Sequence, residues 1–286
     1  MIVPIPEPKP KEGSDRSQVL VVLPTYNERA NLERVVSGIR ASGYDVAVVD
    51  DSSPDGTGDL ADEMAKADSG LHVLHRPSKM GLGSAKILAF KYGLELRYEA
   101  MTEMDADSSH LPEFLDPLVE TARRTGGVAI GSRYVPGGSV VGWGPARRAL
   151  SAGANIVCRQ VLGLGLRDCT SGYRCYSAAT LSRVELDRVF AKGYGYQVEM
   201  LFRCRQLGVP ITEIPIRFVD RVYGNSKVTF GEVVRTMITV FRLRFSRERI
   251  DRVITPHQPP RRAVIASGDG STDATPSPTV ELPPQA

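Results

Sequence analysis

The sequence predicts an α/β fold, a mostly parallel sheet flanked by helices on both faces. Three observations predict it. Short β-branched and aliphatic runs alternate with segments whose apolar residues recur every three or four positions, the rhythm of strand–helix–strand units. The conspicuous polar motifs fall directly after the apolar runs, and ligands of such sheets bind beyond the carboxyl ends of strands. No uncharged apolar run approaches the roughly 18 residues that would span a bilayer, so a membrane role, if any, is peripheral.

The elements follow in order. Residues 19–23 are a β-branched apolar run and predict a buried strand. Leu32, Val35, Val36 and Ile39 fall at helical spacing and predict a helix with one apolar face. Residues 46–49 predict a second buried strand, ending in Asp50-Asp51, and 71–74 a third. Residues 82–97 read as a helix after the turn at Gly81, and 99–104 as a strand that ends in Asp105. Leu111, Phe114, Leu115, Leu118 and Val119 form another helical stripe, and 128–130 is again strand. The ends differ in composition. Residues 1–17 and 256–286 are rich in Pro, Ser, Thr and charge and predict disordered tails, because they cannot bury enough surface to offset chain entropy. This leaves one folded domain over 18–255, within what 286 residues can bury around a single core. The net charge of +3 points to no polyanion, and nucleic acid is not an expected partner. The four cysteines lack C-x-x-C spacing and read as reduced, buried thiols of a cytoplasmic protein.

Three motifs carry chemistry. Pro24-Thr25-Tyr26-Asn27-Glu28 follows the first strand; Tyr26 offers a stacking face for a base and Glu28 an acceptor for a ribose hydroxyl. The same residues also suit a helix start, with Asn27 as cap and Glu28 favoured by the helix dipole. Asp50-Asp51-Ser52-Ser53-Pro54-Asp55-Gly56-Thr57 contains a plain turn signal, yet places two carboxylates at the tip of a buried strand, where Asp51 could bind a base edge or a ribose. Asp105-Ala106-Asp107 puts two carboxylates two residues apart, pointing the same way in an extended segment, a pair of hard oxygen ligands suited to Mg2+ or Mn2+ bound with substrate phosphates. A solvated acidic turn is the alternative.

Taken in order with Gly131-Ser132-Arg133-Tyr134, Arg147 before Ser151, Asp168-Cys169-Thr170-Ser171-Gly172-Tyr173 and Arg221-Val222-Tyr223-Gly224-Asn225-Ser226-Lys227, these motifs resemble the inverting GT-A glycosyltransferases of family 2. The resemblance is nearest to the polyprenol- or dolichol-phosphate mannose synthases. It implies a GT-A, Rossmann-like sheet and transfer of mannose from GDP-mannose to a polyprenyl phosphate with inversion to a β-linked product. Pro24, Tyr26, Glu28 and Asp51 would hold the nucleoside. Asp105, Ala106 and Asp107 would meet the metal and donor, with Ser109 standing where some relatives have a further metal ligand. Arg133, Arg147, Arg221 and Lys227 would face the donor diphosphate or acceptor phosphate, the last two from a loop that Gly224 and Asn225 let close as a lid. A phosphate monoester is largely dianionic near neutrality, so no general base is assigned.

Two amphipathic stretches predict contact with the cytoplasmic face of a membrane. One carries Leu150, Ala154, Val157 and Val161; the other carries Val234, Met237, Ile238, Phe241 and Phe245 among an excess of arginines. The resemblance implies that these helices receive the lipid, and leaves open an anchoring membrane protein. The motifs do not separate mannose from glucose or another hexose, and a non-catalytic nucleotide-sugar-binding module is the rival of another class.

Overall fold

The computed structural model describes residues 15–191, 193–221 and 230–245. A seven-stranded sheet has the order β3-β2-β1-β4-β7-β5-β8, with β1 at Val19–Thr25, β2 at Asp45–Asp50, β3 at Leu71–His75, β4 at Ala100–Glu103, β5 at Val128–Ser132, β7 at Arg174–Ser177 and β8 at Ile211–Pro215. Every pairing within it is parallel except those of β7, which runs against both β4 and β5. A short parallel pair, β6 (Ser139–Val141) and β9 (Arg217–Val219), stands beside it.

The strands form where the apolar runs predicted them, with ends shifted by a residue or two. Alternation along them feeds two cores, one per face. Leu20, Val22, Ala47 and Val49 point to one face; Val19, Val21, Leu23, Val46 and Val48 point to the other. The second face is covered by α1 (Arg29–Ala41), α2 (Thr57–Ala67) and α4 (Leu115–Thr125); Leu32, Val35, Val36 and Ile39 of α1 lie buried there, as their spacing predicts. The first face is covered by α3 (Leu82–Glu95) and α7 (Gly195–Gln206), joined by residues of α5 (Pro145–Leu162) and α8 (Phe230–Phe245).

Several local expectations are corrected. The helix at the third motif's far side begins at Leu115, and Pro112–Phe114 before it forms a 3-10 turn, so Leu111 and Phe114 lie outside the regular helix. The first helix has Glu28, not Asn27, at its N-cap, and Asn27 takes a left-handed φ of 57°. Residues 15–17, placed above in the N-terminal tail, belong to regular structure. Asp15–Gln18 form a 3-10 turn, and Arg16 is tied to the Ser42 carbonyl at 3.2 Å and to Asp116 at 2.7 Å. Residues 246–286, including the predicted C-terminal tail, lie outside the described residues.

β1 lies between β2 and β4, so the chain leaves it toward opposite sides, and a crevice opens at their carboxyl ends. All three motifs end there. β7 enters the sheet from that same edge, with Arg174 opposite Glu103 and Ile130, which brings residues 168–173 alongside Asp105.

Candidate active site

At the nucleoside side of the crevice, Tyr26 is half-buried and Lys79 places its ammonium 4.3 Å from the ring centroid. Pro24, half-buried at the end of β1, pairs with Val49 of β2. Glu28 is buried; its backbone N–H donates to the Thr57 hydroxyl at 3.0 Å, and its carboxylate accepts from the Asn31 amide at 3.0 Å. Asp51 is buried against Arg76, whose guanidinium also donates to Ser84 Oγ at 2.8 Å and the Gly81 carbonyl at 3.0 Å. Arg76 was not singled out by the sequence; a lone arginine directly after a short strand gives no signal of its partner.

The acidic pair sits deeper. Met104 donates its N–H to the Val22 carbonyl at 3.1 Å, so the next residues run out over the end of β1. Ser108 takes a left-handed φ of 66° and is held by Arg34 of α1, which folds the acidic loop back on itself. Asp107 is buried, and Ser109 donates to its Oδ1 through both the backbone N–H (3.1 Å) and the hydroxyl (2.5 Å). Arg221 meets its Oδ2 at 3.1 Å. Burial works against the charge of Asp107, but the Ser109 hydroxyl and the Arg221 guanidinium outweigh it and hold the carboxyl below the usual range. Ala106 is buried between the two aspartates.

His110 supports Asp105 from below. Its Nδ1 accepts the Asp105 backbone N–H at 3.0 Å, so the ring proton sits on Nε2. The imidazole stacks on Tyr173 with centroids 4.8 Å apart, and burial keeps its pKa below the ordinary histidine value, so it is neutral. The Asp105 carboxylate lies beside Gly172, where a Cβ would stand 3.5 Å from both of its oxygens.

Arg133, Arg147 and Arg221 line a cavity beside Asp105, with His110, Trp143 and Thr170 in its wall. Arg133, at the end of β5, is buried and locked to Asp168: its Nε and one terminal nitrogen each donate at 2.7 Å, and its backbone N–H at 3.0 Å. Burial lowers the Arg133 pKa and the Asp168 carboxylate raises it by more, so the guanidinium stays charged. Arg147, in the first turn of α5, lies 4.2 Å over the Trp143 ring and donates to both oxygens of Asp220 at 3.0 and 3.1 Å. The crevice thus brings Asp105, Asp107, Arg133, Arg147 and Arg221 together, with Tyr26 and Asp51 on adjoining strand ends. Lys227 and the rest of the expected lid after Arg221, residues 222–227, lie outside the described residues.

The cavity's outer wall is apolar. Leu150 and Ala154 of α5 and Val233 and Met237 of α8 line it. α5 buries Asn155, Cys158 and Leu162, and leaves Leu150 54% and Ile156 50% exposed. α8 buries Thr236, Thr239, Val240 and Leu243, and turns Ile238 (60% exposed), Phe241 (50%) and Phe245 (76%) outward. The packing therefore leaves most of the predicted apolar stripe of α8 on the surface. Among the described residues no helix is long and apolar enough to cross a membrane. All four cysteines are free and buried, and burial pushes Cys169, Cys175 and Cys204 up to about 12 and Cys158 to about 11, so none is a nucleophile at neutral pH.

The sequence pattern described as Glycosyl transferase family 2 matches residues 20–184, the stretch that holds the three motifs, Arg133 and Arg147. The chain belongs to glycosyl transferase family 2. Over 227 residues, 79% of this chain and 93% of its relative, the glycosyltransferase is 48% identical to an undecaprenyl-phosphate mannosyltransferase of Micrococcus luteus. Over 226 residues, 78% of this chain and 85% of the relative, it is 44% identical to a polyprenol monophosphomannose synthase of Mycolicibacterium smegmatis. Its fold is GT-A. It is similar to the crystal structure of GalNAc-T7 with UDP, GalNAc and Mn2+ at a TM-score of 0.55, with 15% identity over 80% of this chain and 48% of that one. The structure of S. aureus TarS 1-349 in complex with UDP is similar at 0.51, with 16% identity over 79% of this chain and 64% of that one.

Proposed function

We propose that this glycosyltransferase moves mannose from GDP-mannose to a polyprenyl phosphate, releasing GDP and forming a β-linked polyprenyl phosphate mannose by single displacement. The observation that carries the reading is the cavity itself: Asp105 of the acidic pair at the strand ends, Arg133, Arg147 and Arg221 around it, and an apolar wall that continues onto exposed side chains of α5 and α8. A sugar nucleotide suits the polar end and a lipid phosphate the apolar end. The two mannosyltransferase relatives support mannose as the sugar and a polyprenyl phosphate as the acceptor.

The residues divide the work. Tyr26, Pro24, Glu28 and Asp51 hold the nucleoside, with Arg76 fixing the Asp51 carboxylate. Asp105 and Asp107 fit Mg2+ or Mn2+. Both are hard oxygen donors and would hold a cation that arrives with the donor's phosphates. Ser109 orients Asp107. When bound, such a cation neutralises charge growing on the leaving diphosphate. Arg147, Arg221 and Lys227 align the two phosphates, which repel each other, and Arg133 stiffens the wall behind them. The acceptor phosphate is its own nucleophile and its second pKa of about 6 makes it largely dianionic, so no base is needed. Neutral His110, its Nδ1 occupied by the Asp105 N–H, serves to hold that backbone. The catalytic unit is the 18–255 segment. It works at the cytoplasmic face of a membrane, held by α5 and α8, a location that four unpaired buried cysteines suit.

The test offers the full chain a polyprenyl phosphate and a panel of radiolabelled nucleotide sugars. Label should enter the lipid phase from GDP-mannose only, and both EDTA and Asp107→Asn should stop it. Preferred transfer from another donor would overturn the sugar assignment; donor binding without any transfer would overturn the enzyme reading.

A further inference from the structure

Asp107 has little room for a second cation. Its Oδ1 accepts two hydrogen bonds from Ser109, and its Oδ2 is engaged by Arg221 at 3.1 Å. Ser109 belongs to the same tight loop as Asp107, while Arg221 arrives from a different part of the chain. What brings it there is Asp220. β9 is pinned at its end, where the Val219 N–H donates to the Ser109 carbonyl at 3.3 Å and the Asp220 N–H to the Val141 carbonyl at 2.9 Å. The Asp220 carboxylate then accepts the Arg221 backbone N–H at 3.0 Å and both contacts from Arg147. Arg147, Asp220, Arg221 and Asp107 thus form a row of alternating sign, of which the two arginines line the cavity.

We propose that Arg221 is a built-in counter-cation for Asp107, held in place by Asp220 as a positioning residue, and that a divalent cation entering with the nucleotide donor must displace it. The proposal rests on the reading of Asp105 and Asp107 as metal ligands. The electrostatics follow from burial. Asp107 is nearly inaccessible to water, so a charged carboxylate there needs a cation at all times, and leaving one uncompensated is costly. Two cations on one buried carboxylate repel each other across the same short distance. The exchange resolves both demands. The cation takes Asp107, and the released guanidinium finds the anionic oxygens of the diphosphate that arrives with it. Cation alone, without a diphosphate to receive Arg221, binds weakly, so the site stays closed to free metal until donor is present. Each ligand favours the arrangement the other needs, and coupling of this kind is typically about 5- to 150-fold.

The experiment titrates Mn2+ into the full chain without nucleotide and follows free Mn2+ by its electron paramagnetic resonance signal. Arg221→Met should bind Mn2+ about fivefold or more tightly than the unaltered chain. Asp220→Ala, which releases the Arg221 backbone, should shift affinity the same way by less. Adding Asp107→Asn to Arg221→Met should abolish the gain, which places it at Asp107. Circular dichroism and melting curves confirm that each variant is folded. Equal or weaker Mn2+ binding by Arg221→Met, with Asp107→Asn still abolishing binding in the unaltered chain, would overturn the counter-cation while leaving the metal reading intact. A gain in Arg221→Met that survives Asp107→Asn would overturn it as well; no Mn2+ binding by any form without nucleotide would also overturn the counter-cation, and failure of added GDP to restore binding would overturn the metal reading too.

Discussion

Replacing Arg133 by methionine removes the ion-pair partner of Asp168, whose side chain is fully buried. Three hydrogen bonds to that carboxylate originate from Arg133, at 2.7, 2.7 and 3.0 Å, and only the backbone one survives the substitution. Removing one partner of a buried pair costs about 3–5 kcal/mol, because the remaining charge is left in a low-dielectric site. At roughly 2–4 °C per kcal/mol for a domain of this size, the melting temperature should fall by roughly 6–20 °C at neutral pH. The pH dependence identifies the cause. In the unaltered protein burial raises Asp168, but the Arg133 charge and hydrogen bonds lower it by more, and the carboxyl lies below its usual value. A depressed folded-state pKa adds stability above the unfolded value of about 4 and loses it as pH falls through the folded one. In Arg133→Met burial dominates and the sign reverses: the carboxyl rises, the folded state binds the extra proton, and stability falls as pH rises above about 4. The gap between variant and parent should therefore be smaller at about pH 5 than at about pH 8 in thermal unfolding followed by circular dichroism. A loss below about 1 kcal/mol, or a gap that is constant across that range, would refute the claim that Arg133 neutralises a buried charge.

Two further outcomes follow from the geometry. Gly172→Ala should fold normally, since its Cβ would meet the Asp105 oxygens at an ordinary 3.5 Å, yet the methyl group takes the space beside that carboxylate, and transfer should drop about tenfold, a change of roughly 1.4 kcal/mol in barrier; unchanged turnover would show that the cation and diphosphate approach Asp105 from another side. The triple variant Ile238→Ser/Phe241→Ser/Phe245→Ser alters side chains that are already half or more exposed, so its melting temperature should hold. Its binding to anionic liposomes in flotation should weaken by about two orders of magnitude, from on the order of 1 kcal/mol lost per side chain; retained flotation would place the membrane contact elsewhere.

The sheet edge was legible because its signals are local. Residues 19–23, 46–49 and 99–104 carry enough apolar density to be strands wherever they sit, and Tyr26, Asp51, Asp105 and Asp107 follow them by chain continuity alone. In a parallel sheet, strand ends that follow similar runs share an edge, so sequence order already implied that these motifs meet. The helix stripe of Leu32, Val35, Val36 and Ile39 was legible for the same reason. β7 was not, because its four residues, Arg174–Ser177, hold only two adjacent apolar side chains between an arginine and a serine, too short a run to signal a strand.

Sequence alone determined which side chains could carry the chemistry and that the outward stripe of α8 is too apolar for ordinary surface. Tertiary structure alone decided their partners. Nothing in the sequence pairs Arg133 with Asp168, Asp51 with Arg76, Arg147 with Asp220 or Arg221 with Asp107, because each pair is separated by 25 to 114 residues and meets only when the crossovers close. A charge's free energy depends on burial and on the nearest opposite charge, and both are properties of packing. The chain's chemistry is therefore written locally, while the choice of which arginine stiffens the wall and which one guards the acidic pair is made by the fold.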